Sequence, residues 1–355
     1  MLILAILGGM MVSIAPACAP TQTPTPTPSD IVASDNSTPL PTYTPPAYTV
    51  QDVLQALESN QNLKSDEKDF YVNTFHKYLE PLLKRNEQYI SKKLINDVGN
   101  YKIEYKGKCE QNWEHAQNID AQTEGNRNYP PITCYYYGSN FKEVLGKDNQ
   151  NSDLVTHEFF HVFGGFFANG LDEKYYPVME GVNDLLLRQS TGGDMGLTIY
   201  NDNVIMAQIL CELFGNETIE ASFFKENLSP VVQKIQAKNP DLDTSSIAIT
   251  FRQLIIDIQS LSEVRQSGKV IGDIQTLLPS ENPKDNELLQ LYLSVLTRRN
   301  LPPELKLGKG ETVRIKDYNN ITKSVDVDVY DEAWNLAGTV KVPLPNRDQW
   351  LAQHP

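Results

Sequence analysis

Two histidines flank a glutamate at the spacing His-Glu-x-x-His in the stretch DLVTHEFFHVFGG, residues 153–165. In a helix, residues four apart lie one above the other on the same face. His157 and His161 could therefore bind one metal ion from consecutive turns. Glu158 sits about 100° around the helix from His157 and could hold a water at that ion without ligating it. Local signals favour a helix: Ser152 or Asp153 can cap its start, and Gly164-Gly165 can end it. Leu154, Val155, Phe159, Phe160, Val162 and Phe163 surround the polar trio, which predicts a helix buried nearly all round. Burying two imidazoles and a carboxylate is costly unless partners satisfy them. The competing reading is a pair of core histidines bonded to backbone carbonyls. The full pattern inside an apolar helix favours the metal.

A catalytic metal commonly takes three protein ligands plus water, so a third ligand is expected downstream. The stretch YYPVMEGVNDLLLRQ, residues 175–189, supplies a candidate. Pro177 suits the first turn of a second helix, and Val178, Val182, Leu185 and Leu186 repeat at helical spacing. Glu180 interrupts that apolar run, and Asp184 follows one turn later on the same face. The alternative is a solvated acidic edge on an amphipathic helix.

Taken together, His157-Glu158-x-x-His161 and Glu180-x-x-x-Asp184 resemble the gluzincin metallopeptidases, the thermolysin-like clan, over residues 130–225. The resemblance implies that His157, His161 and Glu180 bind one Zn2+ and that Glu158 is the general base. It also implies that Asp184 orients His157 from behind. The family usually supplies a His or Tyr to stabilise the oxyanion. His354, in the terminal tail, is a poor match, and Tyr200 is the preferred counterpart, with Tyr175 and Tyr176 competing. Simple packing is the other reading of each tyrosine. The fold implied is α+β: a gluzincin-like core with a small mixed sheet, a zinc-binding active-site helix and a mainly helical C-terminal lobe. The stretch PPITCYYYGSNF, residues 130–141, reads as a strand. In gluzincins an edge strand at that chain position pairs with the substrate backbone; the alternative here is an internal strand with no ligand. The partner implied is a peptide or protein substrate, and the activity implied is hydrolysis of peptide bonds within the substrate chain. The text MEGVNDLLLR followed by YNDNVIMAQILCELFGNETIEASFF also resembles uncharacterised bacterial surface proteins with a peptidase-like core.

Other elements must position these residues. Residues 49–95 read as mostly helical, with Pro81 as a possible kink. NYKIEYKG alternates as a strand, with Tyr101, Ile103 and Tyr105 on one face. Residues 203–300 read as helices broken near Asn216, Pro230, Pro240 and Pro279, and residues 310–343 as short strands with a hairpin. The chain divides into a signal-like segment (1–18), a Pro/Thr-rich tether (19–48), N-terminal helices with the strand region (49–150), a metal-binding helical region (151–300) and a short β-rich tail (301–355).

The net charge is −14 and no basic cluster with interleaved aromatics is present, so nucleic acid is not an expected partner. Residues 2–17 are apolar and uncharged. The run is short for a membrane span of about 20 residues and suits a signal-peptide core. Ala17-Cys18 ends it in the manner of a bacterial lipobox, although Ala15 stands where Leu is usual and no Lys or Arg precedes the run. Simple secretion, with cleavage near Ala17 or Ala19, is the alternative. The Pro/Thr-rich stretch has little to bury and would stay extended. Cys109 and Cys134 could form a disulfide contributing about 3 kcal/mol. Cys211, in an apolar helix, reads as a buried thiol, with a pairing to Cys211 left open.

These readings converge on a zinc metallopeptidase attached to the bacterial cell surface through an N-terminal lipid or signal anchor. The other classes in view are a zinc-containing binding module without catalysis and a structural envelope lipoprotein. The anchor is testable directly. The expressed protein should partition with membranes and carry lipid at Cys18, and Cys18→Ala should leave it unlipidated; mass spectrometry finding a free mature N-terminus at residue 20 would support simple secretion instead.

Overall fold

The structure, a computed structural model, describes residues 47–108, 121–126, 129–149, 151–164, 176–197, 200–259, 264–297, 312–319, 322–331 and 333–355. The signal-like segment, the tether up to residue 46, Cys109 and Tyr175 lie outside the described residues.

The first helix, α1 (Val50–Ser59), begins with a capping box in which Thr49 and Asp52 satisfy each other's backbone N–H groups. α2 (Ser65–Thr74) runs into a π-helical turn over Phe75–Leu79, and α3 (Glu80–Arg85) carries Pro81 in its first turn. Pro81 therefore coincides with an irregular join between helices. α4 (Lys92–Asn100), capped by Ser91, leads into β1 (Lys102–Tyr105). Tyr101 and Tyr105 are buried and Ile103 half-buried, as the alternation predicts.

Two further strands, β2 (Ala121–Asn126) and β3 (Tyr129–Tyr135), complete a three-stranded sheet in the order β1-β3-β2. β3 pairs parallel with β1 and antiparallel with β2. Of the two readings of residues 130–141, edge strand or internal strand, the structure shows the internal one: β3 pairs on both sides, and among the described residues the outer strand beside the His-Glu helix is β2. Its sequence AQTEGN is polar and contains glycine, so strand propensity does not reveal it.

A short helix, α5 (Phe141–Leu145), precedes the His-Glu helix α6 (Ser152–Phe160), which tightens to a 3₁₀ turn over His161–Phe163. Neither Ser152 nor Asp153 caps α6. Its N-cap is Asn151, whose side chain instead donates to the carbonyl of Val144. Every residue from Val155 to Phe160 is buried. Phe159 packs against Tyr71 and Tyr101, and Phe163 against Phe75, which fixes the helix to the N-terminal region. At Gly164 the backbone becomes extended, and a side chain there would lie 2.5 Å from the Phe223 carbonyl oxygen. Close approach demands this glycine, since its backbone is extended (φ 168°).

The second motif lies on α7 (Tyr176–Thr191), packed against α8 (Asn201–Phe214). Helices α9 (Asn216–Lys225), α10 (Ser229–Lys238), α11 (Thr244–Gln259), α12 (Val264–Leu277) and α13 (Lys284–Thr297) follow. Pro230 sits in the first turn of α10, and the preceding break falls at Glu226, in the left-handed conformation. Strands β4 (Thr312–Asn319), β5 (Ser324–Tyr330) and β6 (Leu336–Pro343) form an antiparallel sheet in sequence order. A final helix, α14 (Arg347–Gln353), capped by Asn346, has no counterpart in the sequence reading. The β-rich segment is joined to α8 through the Asn201 side chain, which donates to the Lys316 carbonyl at 3.0 Å. The architecture is α+β and mainly helical, with two small sheets. Among the described residues no helix is long and apolar enough to cross a membrane. Cys134 is disulfide-bonded and Cys211 is a free buried thiol.

The α7–α8 contact is set by Gly181, where an added Cβ would lie 2.0 Å from the Asn203 carbonyl oxygen. Alanine gains about 1 kcal/mol over glycine from helix propensity, whereas overpacking costs about 1–3 kcal/mol. A Cβ meeting backbone has little room to relax, so the clash should win. Gly181→Ala should lower the midpoint of denaturant unfolding; an equal or higher midpoint would show that the two helices separate freely.

Candidate metal centre

α6 and α7 face each other, and their polar side chains meet in one place. His157 Nε2 lies 2.9 Å from Glu180 Oε2. His161 Nε2 lies 3.3 Å from both of these atoms. Three potential ligand atoms thus form a nearly regular triangle. Tetrahedral ligands at about 2.0–2.1 Å from zinc stand about 3.3 Å apart, so the triangle has the dimensions of one face of such a site. His157 and Glu180 are buried and His161 half-buried.

The chemistry of the donors also fits a cation. His157 Nδ1 faces Asp184 Oδ1 at 3.3 Å. Asp184 is already an acceptor for the Arg188 guanidinium (2.8 Å) and the Leu197 N–H (3.0 Å), which suits an ionised carboxylate. Such a carboxylate requires the imidazole proton on Nδ1. A neutral His157 then presents a lone pair from Nε2 towards the Glu180 carboxylate. Two electron pairs 2.9 Å apart repel unless a proton or a metal ion lies between them. With the proton there, burial opposes the charge on His157, but its bonds to Asp184 and Glu180 prevail and hold its pKa at about 10. Burial likewise opposes charge on Glu180, yet the two histidines pull its carboxyl far below the usual range. A metal ion satisfies the same three atoms at once, and these residues could hold a divalent ion.

Glu158 stands apart from the triangle. It is buried, and its Oε2 accepts a 2.7 Å hydrogen bond from Thr123 on β2. Burial raises its pKa, against the pull of His161 and His157. Tyr200, the N-cap residue of α8, stacks on His157 with ring centroids 5.0 Å apart and planes 20° apart. The sequence-predicted residues His157, Glu158, His161, Glu180, Asp184 and Tyr200 are therefore brought together. Tyr176 opens α7. His76 lies elsewhere and pairs with Glu80.

Sequence reasoning missed the supports. Arg188 is buried and also donates to the Leu197 carbonyl (3.1 Å) and the Asn201 side chain (2.8 Å). Gly196 passes over it so closely that a Cβ would lie 2.6 Å from Arg188 Nε. Asn183 donates to the His157 carbonyl at 2.9 Å, tying α7 to the backbone of α6. The signal was present: Glu180, Asn183, Asp184 and Arg188 form a polar stripe at helical spacing, and the residues between them, Gly181, Val182 and Leu185 to Leu187, carry no polar side chain.

Comparison with protein-family models, curated proteins and solved structures found no match to this chain.

Purified protein supplied with divalent metal should bind about one ion per chain, and His161→Ala or Glu180→Ala should abolish that binding. Asp184→Asn preserves shape but weakens the hold on His157, so affinity should fall by about 10- to 100-fold. Unchanged affinity in a competition titration against a chelator would remove Asp184 from the site.

Proposed function

We propose that this chain is a zinc-dependent peptidase of gluzincin type, attached to or released at the outer face of a bacterial cell. The observation that carries the reading is the convergence of two imidazole nitrogens and one carboxylate oxygen within 2.9–3.3 Å, beside a buried glutamate that stays outside their triangle. Two histidines and one glutamate are a donor set characteristic of catalytic zinc.

Bound zinc supplies Lewis acidity, which polarises a carbonyl and lowers the pKa of water towards about 7. The chain supplies the rest. Glu158 takes a proton from the attacking water and passes it to the departing amine, so the carboxylate is regenerated. Asp184, braced by Arg188, fixes the tautomer and orientation of His157. Tyr200, stacked on His157, is the candidate to stabilise the oxyanion. A substrate strand would pair with β2, the outer strand of that sheet among the described residues, whose Thr123 reaches Glu158. The Pro/Thr-rich segment would carry the enzyme away from a Cys18 lipid anchor.

Glu158→Gln is nearly isosteric, and its amide accepts no proton as the carboxylate does. Metal content should remain at the wild-type level while hydrolysis of a peptide library falls by at least about 100-fold. Equal hydrolysis by wild type and variant would assign cleavage to another residue or a contaminant. No hydrolysis by either, with zinc fully bound, would favour a binding module.

A further inference from the structure

The peptidase reading makes Glu158 the base but leaves open which of its two oxygens works. We propose that Thr123 is a positioning residue that occupies Oε2, and that Thr133 and Tyr101 set the direction of its hydroxyl; the inference rests on the peptidase reading.

Thr123 and Thr133 are opposite each other in the β2–β3 pairing. Their hydroxyl oxygens are 2.6 Å apart, and the Tyr101 hydroxyl lies 2.6 Å from that of Thr133. Thr123 in turn reaches Glu158 Oε2 at 2.7 Å. Thr133 and Tyr101 have no solvent exposure. Each hydroxyl has one proton to donate, and an ionised carboxylate can only accept. Tyr101 could also donate to the Tyr71 hydroxyl, but at 3.5 Å that contact is much weaker than the 2.6 Å one to Thr133, and the order of donation is then Tyr101 to Thr133, Thr133 to Thr123, Thr123 to Glu158. Thr123 also lies 3.1 Å from the Glu158 backbone carbonyl, but the shorter contact to a charged acceptor is the stronger one. Cross-strand threonine pairs commonly stabilise sheets. This pair differs because its hydrogen bonds run on to a buried carboxylate in the metal-site helix.

With Oε2 committed to Thr123, Oε1 is the oxygen that accepts the proton of the attacking water. That proton moves to the leaving nitrogen as the C–N bond breaks, and Glu158 returns to its ionised form. Thr123 keeps its own proton throughout. The chain restricts carboxylate rotation, which preserves the near-attack geometry that proton transfer needs.

The test uses the full chain with Thr123→Val, Thr123→Ser and Thr133→Val, measuring metal content, kcat and KM, and the Glu158 carboxylate position in crystal structures. Thr123→Val should lower kcat by about 10- to 100-fold with KM and metal content unchanged, and its Glu158 carboxylate should be rotated. Thr123→Ser should restore both kcat and carboxylate position. Thr133→Val should shift both in the same direction and decides the matter if Thr123→Val fails to fold. A wild-type kcat with an unmoved carboxylate in the valine variants would overturn the inference, as would equal losses in the serine and valine variants. If wild type cleaves no peptide, the peptidase reading falls separately. The carboxylate position then decides this inference alone: rotation in the valine variants supports it and an unmoved carboxylate overturns it.

Discussion

The imidazole of His157 is held between two carboxylates, with Nδ1 facing Asp184 and Nε2 facing Glu180. This arrangement forces the chemistry at the centre. Once Asp184 takes the Nδ1 proton, the Nε2 lone pair must meet something positive. A fully buried ring has no water to turn to, so the positive charge must come from a proton or a metal ion. Arg188 adds a second constraint: it bonds Asp184 at 2.8 Å and helps to keep it ionised. The same guanidinium reaches Asn201, whose amide is bonded to β4. The strand segment near the C-terminus is thus connected to the candidate metal site through three side chains.

Such a site needs rigid walls, because small displacements degrade both ligation and proton transfer. Three glycines allow backbone to approach at close range around it. Gly164 lies against the Phe223 carbonyl, Gly181 against that of Asn203, and Gly196 against the Arg188 guanidinium. They fix, respectively, the end of the His-Glu segment, the α7–α8 spacing and the turn that covers Arg188. At Gly164 the backbone becomes extended, and the close contact with α9 requires a residue without a side chain there.

What was legible in the sequence was local and periodic. His157, Glu158 and His161 sit on one buried helix, and Glu180 and Asp184 share a face of the next, because the 3.6-residue repeat carries that information. The helical character of residues 203–259 and 264–297 was legible for the same reason. Pairing between distant segments was not. β3 is central rather than outer because β2, a polar strand without β-propensity, covers its second edge. Thr123 gives no sign of its role until that pairing places it beside Glu158. Asn151, rather than Ser152 or Asp153, precedes the helix because its side chain is drawn to the Val144 carbonyl. The terminal helix α14 escaped notice because its buried contacts involve Arg347, bonded to Asp285, rather than an apolar repeat.

Glu158 and Glu180 show how one residue type is given two different electrostatic environments. Both are buried, so desolvation works against the charge on each. Glu180 points between two imidazoles, and their attraction overcomes burial and drives its pKa far down. A carboxylate in that state is a good ligand and a poor base. Glu158 turns its Oε2 to a neutral hydroxyl, and burial leaves its pKa raised. A carboxylate in that state accepts a proton more readily. The separation follows from placing α6 between two different neighbours. α7 meets it with carboxylates and an amide, which gather the histidines. β2 meets it with a threonine, which holds Glu158 without neutralising it. Exchanging those neighbours would leave the His-Glu-x-x-His spacing intact and remove the opposite pKa shifts of the two glutamates.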